Sequence, residues 1–235
     1  TQIISDDGQL LGTWSLSKEN RVYVGYEDLS PHLVHALVAT EDVRFSEHSG
    51  IDIRAFFRAL IKRGIFMQKH AGGGSTITQQ LARGTFLSNE KTLSRKIKEI
   101  FIARQLTKKY TKEQIMEFYC NSCCFANGIY GVEDASQKYF GRSVSDLSLS
   151  ETAYICAIPN RPEYYNPLKN SENAISRRNK ILQDMYECDY ITKDAGDAAL
   201  AENITVAEVS DEEDTFYNYE ATYAINCAIR YLMKQ

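Results

Sequence analysis

A chain of 235 residues, 43% hydrophobic and 25% charged, has room for one or two globular domains with a real core. Its four prolines and thirteen glycines exclude a long low-complexity linker. No internal repeat, signal peptide or apolar run of membrane-spanning length is evident, so any membrane anchor is expected outside this chain. The net charge of −4 hides an asymmetry: thirteen Lys/Arg stand against Glu90 and Glu99 between Arg54 and Lys109, and twelve Asp/Glu against Lys193 between Asp184 and Glu220. A basic middle calls for an anionic partner such as phosphate or membrane lipid. No aromatic-rich nucleic-acid signature accompanies it, so nucleic acid is not expected.

In chain order, Asp7-Gly8 between Ile3-Ile4 and Leu10-Leu11 predicts a β-hairpin, and Arg21-Val22-Tyr23-Val24 a third strand. Ser15-x-x-Lys18 has the form of a transpeptidase nucleophile motif. No Lys-Thr-Gly or Ser-x-Asn partner occurs, so the match is read as accidental. Ser30-Pro31 opens the first helix as N-cap and first helical residue, with Leu33, Val34, Leu37 and Val38 as its apolar stripe. Glu41 lies on that stripe near the helix's C-terminal end. Apolar neighbours and the negative helix end both disfavour its charge, which makes it a candidate proton acceptor. The alternative is a half-buried glutamate paired with Arg44. Asp52 reads as the N-cap of the next helix, and His48 as a structural hydrogen bonder without an acid–base role.

From Ile53 to Gln68 the pattern is amphipathic. Phe56, Phe57, Leu60, Ile61, Ile65, Phe66 and Met67 alternate with Arg54, Arg58, Lys62, Arg63 and Lys69, which suits either a membrane surface or a core-facing helix with a basic outer side. Gly72-Gly73-Gly74-Ser75-Thr76-Ile77-Thr78-Gln79-Gln80-Leu81-Ala82-Arg83 follows. Thr76-x-x-Gln79 has capping-box form, and the free N–H groups of such a start make an anion site. The alternative is a mobile glycine loop before an ordinary helix. A helix from about Lys91 to Leu106 carries Leu93, Ile97, Ile100 and Phe101 on one face and Glu99, Ile102, Ala103 and Leu106 near the other, and is expected to be central and buried. Arg95 and Glu99 are i,i+4 neighbours, so a plain helix ion pair accounts for them locally.

Further capping signals are Thr111-x-x-Gln114, Gly141 after Tyr139-Phe140, Ser148-x-x-Glu151 and Thr192. Glu151 reads as a cap rather than a catalyst. A helix spans Ser171 to Glu187 with Ile175, Ile181, Leu182 and Met185 inward. Asn203 to Asp214 reads as an acidic linker and Ala221 to Gln235 as the start of a further domain. Cys120-x-x-Cys123 has no partner pair, and small buried core thiols are the better reading of the six cysteines.

Several of these stretches resemble the motifs of one family, the peptidoglycan glycosyltransferases (glycosyltransferase family 51) of class A penicillin-binding proteins. Glu41-Asp42-Val43-Arg44-Phe45-Ser46-Glu47-His48-Ser49-Gly50-Ile51-Asp52 is similar to the first motif. The stretch Gly72 to Arg83 is similar to the second, which reads roughly Gly-x-Ser-Thr-x-Thr-Gln-Gln, and Arg95-Lys96-Ile97-Lys98-Glu99 to the third. Tyr119-Cys120-Asn121 through Tyr139-Phe140-Gly141-Arg142 resembles the fourth, and Leu147 to Pro167 the fifth. The resemblance covers about Asp6 to Ala201. Ala126, Ala157, Arg161, Arg83, Gly84 and Arg142 depart from the pattern without removing a carboxylate or a positive charge.

The resemblance implies a mainly α, lysozyme-like domain with a small N-terminal β segment and a mobile membrane-facing jaw. Residues 1–26 would be the β segment, 27–201 the catalytic domain with its jaw at about 53–74, and 202–235 the linker and next domain. It further implies polymerisation of lipid II into a β-1,4-linked, lipid-linked glycan, with inversion and release of polyprenyl pyrophosphate. The place implied is the extracytoplasmic face of the bacterial cytoplasmic membrane, with a transpeptidase domain in the full-length protein. Glu41 would be the catalytic base and Glu99 the second carboxylate. Asp42, Phe45, His48, Ser75, Thr76, Gln79, Gln80, Arg83, Arg95 and Lys96 would bind substrate. A divalent cation, magnesium or manganese, is admitted beside the leaving group, although no local ligand cluster supports it independently. Two other readings stay open: a glycan-cleaving muramidase or lytic transglycosylase, and a non-catalytic wall-synthesis scaffold.

Overall fold

The computed structural model describes residues 2–4, 10–13, 22–64, 74–87 and 92–207. The chain divides into two compact units, Thr1–Asn20 with Glu208–Gln235, and Arg21–Ala207. In the first, β1 (Gln2–Ile4) and β2 (Leu10–Thr13) pair antiparallel, Gln2 opposite Thr13 and Ile3 opposite Gly12, as the hairpin signal predicts. The Asp7-Gly8 turn, Ser15 and Lys18, most of the expected linker, the tail from Ala221, and Ile65 to Gly73 with Phe66 and Met67 lie outside the described residues.

The second unit is mainly helical, in the class the resemblance implies. Its helices are α1 (Pro31–Glu41), α2 (Ile53–Gly64), α3 (Ile77–Phe86), α4 (Leu93–Lys109), α5 (Lys112–Ser122), α6 (Val132–Phe140), α7 (Leu149–Ala157), α8 (Ser171–Glu187) and α9 (Lys193–Ala201). Their starts are fixed by local chemistry. Thr76, Thr111 and Ser148 each form a full capping box, with Gln79, Gln114 and Glu151, while Ser30 and Thr192 accept single cap bonds. Gly141 ends α6 in the left-handed conformation that glycine adopts without strain. No described helix is long and apolar enough to cross a membrane.

The core centres on α7, buried from Ser150 to Ala157 and packed against α8 and α1. A second group of helices forms around α3, which packs on α4 and α5. Here α4 departs from expectation. Only Glu99, Ala103 and Leu106 are buried, whereas Leu93, Ile97 and Phe101 are 86%, 68% and 64% exposed. One face of α4 covers α3 and the other faces outward, so the helix is peripheral rather than central. The predicted third strand is also absent among the described residues. Instead the Val22 N–H donates to Asp134, and Asn121 of α5 bonds both the N–H and the C=O of Val24. Side chains of neighbouring helices thus satisfy this extended segment in place of a β-ladder.

In α8, Ile181, Leu182 and Met185 turn inward as expected, and so does Arg178. Its Nη1 donates to Ser150 Oγ (2.6 Å) and to the carbonyls of Ala199 and Glu202 (3.1 Å each). A buried cation here ties the carbonyl end of α9 to the core. Cys120 and Cys156 are buried free thiols, and burial pushes both well up from the ordinary range.

Candidate active site

Glu41 is the last residue of α1, and its side chain is 11% exposed. Oε2 accepts from Gln80 Nε2 (2.8 Å), and Oε1 from Asn160 Nδ2 (2.9 Å) and Arg177 Nη2 (3.4 Å). These three donors come from α3, the 3-10 turn Ile158–Asn160 and α8. Tyr119 donates to Gln80 Oε1 (3.3 Å), which turns the Gln80 amide nitrogen toward Glu41. Burial pushes the Tyr119 phenol well above the usual range, so it stays a donor. The partner that sequence proximity offered, Arg44, goes elsewhere. It makes a two-nitrogen contact with Asp52, at 2.5 and 3.1 Å. Burial works against the Asp52 charge, but the bonds from Arg44 and the Ala55 N–H outweigh it and hold the carboxyl below its ordinary range.

The loop after Glu41 acts as a clamp. Asp42 receives His48 Nε2 (2.8 Å) and the Ile77 N–H at the start of α3 (3.1 Å). Because His48 Nδ1 accepts from the Gly50 N–H, the proton lies on Nε2 and points at Asp42. Lys112 Nζ donates to the His48 carbonyl (2.6 Å) and stands 4.5 Å from the centre of the buried Phe45 ring. Gly50 has φ +89°, and a Cβ there would stand 2.6 Å from the Ala103 carbonyl of α4; its own carbonyl accepts from Thr76 Oγ1 (2.7 Å). Asp42, Phe45, Thr76 and Gln79 are therefore buried, and with His48 they are bonded into the scaffold. The anion site expected at the α3 start is in large part already used. The Ile77 N–H goes to Asp42 and the Gln79 N–H to Thr76.

The cationic side lies at the other end of the same segment. Glu99 is 1% exposed and is bonded by Arg95 Nη1 (2.7 Å) and Lys96 Nζ. Lys96 also donates to Ser75 Oγ (2.8 Å). Arg95 Nε is buried without a partner among the described residues. Arg83 is exposed and makes no ion pair with another described residue. One stretch of chain thus serves both carboxylates, with Ser75 tied through Lys96 to Glu99 and Gln80 to Glu41. Sequence reading missed Asn160 and Arg177. Only the double arginine at Arg177-Arg178 inside an apolar helix pattern hinted at either.

The sequence profile of the transglycosylase family matches residues 7–186. Penicillin-binding protein 2a of Streptococcus pneumoniae is 44% identical over 191 residues, covering 81% of this chain and 25% of that protein. Penicillin-binding protein 1A of Aquifex aeolicus is 40% identical over 231 residues, covering 96% and 31%. A crystal structure of penicillin-binding protein 1A from Haemophilus influenzae aligns over 89% of this chain and 21% of its own, at 24% identity and a TM-score of 0.49. The chain spans about a quarter of the length of the Streptococcus protein, 25%, and somewhat under a third of the Aquifex protein, 31%.

Proposed function

Because the chain belongs to the transglycosylase family, we propose that it polymerises lipid II, the lipid-linked disaccharide precursor of peptidoglycan, into β-1,4-linked glycan. The observation that carries this is the pairing of Glu41 with the Arg95, Lys96 and Glu99 cluster through a single stretch of α3 and its lead-in. In the proposed reaction Glu41 accepts the proton of the acceptor sugar's 4-hydroxyl. That oxygen attacks the donor's anomeric carbon as the bond to pyrophosphate breaks, inverting the centre and releasing polyprenyl pyrophosphate. Gln80 and Asn160 hold the two Glu41 oxygens in a fixed plane. Arg95 and Lys96, oriented by Glu99, and the exposed Arg83 offset charge on the leaving pyrophosphate. Asp42, Phe45, His48, Thr76 and Gln79 act by holding α3 and the Glu41 loop.

We assign no step to a divalent cation. Among the described residues no three carboxylate, imidazole or thiol groups converge, and both Glu99 oxygens are engaged. A membrane partner is supported by exposed apolar residues beside basic ones: Ile53, Phe56 and Phe57 with Arg54 and Arg58 on α2, and Leu93, Ile97 and Phe101 with Lys98 and Arg104 on α4. The site of action would be the extracytoplasmic face of the cytoplasmic membrane, with a transpeptidase domain in the longer protein. Incubation with fluorescent lipid II, and separately with preformed glycan, tests the reading. Polymer from the first and no change in the second are expected. Cleavage of glycan without polymerisation would replace the reading with a lytic one, and inertness toward both would leave a scaffold.

A further inference from the structure

A cavity of about 400 Å³ has in its lining none of the groups that bond Glu41 or Glu99, and it lies within the size range of small-molecule sites. Leu81 and Phe86 of α3, Leu106 of α4, Phe118 of α5 and the rings of Tyr23 and Tyr110 line it. Its polar neighbours are largely engaged by groups outside the lining. Tyr23 bonds the Glu117 carboxylate. Asn121 spends its carbonyl on the Val24 N–H and its amide on the Val24 and Glu117 carbonyls, and Ser122 donates to the Tyr119 carbonyl. A sugar or nucleotide would leave its polar groups unpaired in such a lining, whereas a hydrocarbon chain loses nothing by entering it. At the rim, Tyr110 and Thr85 offer hydroxyls, and Lys109 stands 5.3 Å from the Tyr110 ring centre with Lys108 beside it in the last turn of α4. An anionic head is favoured there. The same helix turns the bare side chains of Leu93, Ile97 and Phe101 outward, so the element that walls the cavity is also suited to lie at a bilayer.

We propose that this cavity receives the acyl chain of an anionic bilayer lipid, with the chain against Leu81, Leu106 and Phe118 and the head near Lys109. The site is independent of Glu41 and Glu99, and its occupancy does not require turnover. The test titrates the 235-residue chain with cis-parinaric acid, a fluorescent fatty acid, and displaces it with lauric acid. One saturable site is expected. Leu106→Trp fills the cavity and weakens binding about tenfold or more, the worth of one or two buried methylenes. Should that variant fail to melt cooperatively, Thr85→Trp at the exposed rim decides with the same expectation. Lys109→Glu weakens parinarate about two- to fivefold, the worth of an exposed ion pair, and leaves displacement by dodecanol unchanged. Unsaturable binding, or binding unmoved by the tryptophan variant that folds, overturns the site. Stronger displacement by geranylgeraniol than by straight-chain alcohols overturns the acyl assignment in favour of an isoprenoid. An unchanged Lys109→Glu variant overturns the anionic head.

Discussion

Two substitutions of the same shape, Glu41→Gln and Glu99→Gln, are predicted to fail in different ways. At Glu41 the proposed proton acceptor is lost, and a general base contributes about 10²–10⁴ in rate, or roughly 3–5 kcal/mol of barrier. The structural cost is smaller. Gln80 and Asn160 each donate to one Glu41 oxygen. A glutamine offers one acceptor and one NH2, so with its oxygen toward Gln80 its NH2 faces Asn160 and the more distant Arg177, donor against donor. Gln80 is held by Tyr119, and Asn160 is exposed, so Asn160 turns to water. That costs about 1 kcal/mol, or about 2–4 °C of melting temperature for a domain of this size. At Glu99 the order is reversed. The carboxylate is 1% exposed between Arg95 and Lys96, whose side chains are 16% and 30% exposed. Breaking a buried pair costs about 3–5 kcal/mol, discounted here to about 2–3 because Lys96 reaches water. Melting should fall by about 4–12 °C, and the two cations lose their orienting anion. Polymerisation of fluorescent lipid II, thermal melts and titration with a pyrophosphate-bearing inhibitor are measured on both variants. Glu41→Gln should bind the inhibitor nearly as wild type without turnover, while Glu99→Gln should lose both. Turnover of Glu41→Gln within tenfold of wild type refutes the base assignment, and a wild-type melt for Glu99→Gln refutes the ion-pair reasoning.

Other expectations concern the frame around the site. Ala126 sits at φ 67°, a conformation that costs an L-residue about 1–2 kcal/mol. After glycine's entropic cost, Ala126→Gly should stabilise by about 0.5–1 kcal/mol in urea titration; destabilisation would mean the methyl contact matters more than the strain. The phenols of Tyr139 and Tyr154 are pushed up to about 12, first by burial. The neutral form is favoured in the fold, so their contribution is intact below pH 10 and is lost as pH rises through 12. Tyrosinate absorbance should therefore lag that of the urea-unfolded chain between these values, and coincident titrations would contradict the burial. On anionic liposomes, Phe57→Ser with Ile97→Ser should reduce flotation several-fold, and equal flotation would remove the membrane face.

The sequence carried those parts of the fold that depend on three or four consecutive residues. Ser30, Thr76, Thr111, Ser148 and Thr192 cap where expected, because a hydroxyl reaching an N–H three residues on needs no tertiary partner. Burial and partnership were less legible. Periodicity gave α4 two apolar faces but not which one another helix covers. Arg44 is three residues from Glu41 and Arg177 is 136 away, yet Arg177 is the cation that reaches it, because the α1–α8 packing brings it there. The engagement of the Ile77 N–H by Asp42 likewise depends on a contact 35 residues long.

Gly50 gives this arrangement a practical consequence. Its alpha carbon lies flush against the backbone of α4, and its carbonyl holds the cap of α3. The width of a hydrogen atom there sets how near the loop that follows Glu41 stands to the helix that carries Arg95, Lys96 and Glu99. A single methyl there would collide with the Ala103 carbonyl at a backbone angle strained for any L-residue, so it would push the loop and the helix apart without removing a charged group. Position 50 is thus a stop rather than a dial: the spacing rests on the absence of a side chain, and no larger residue can adjust it in small steps.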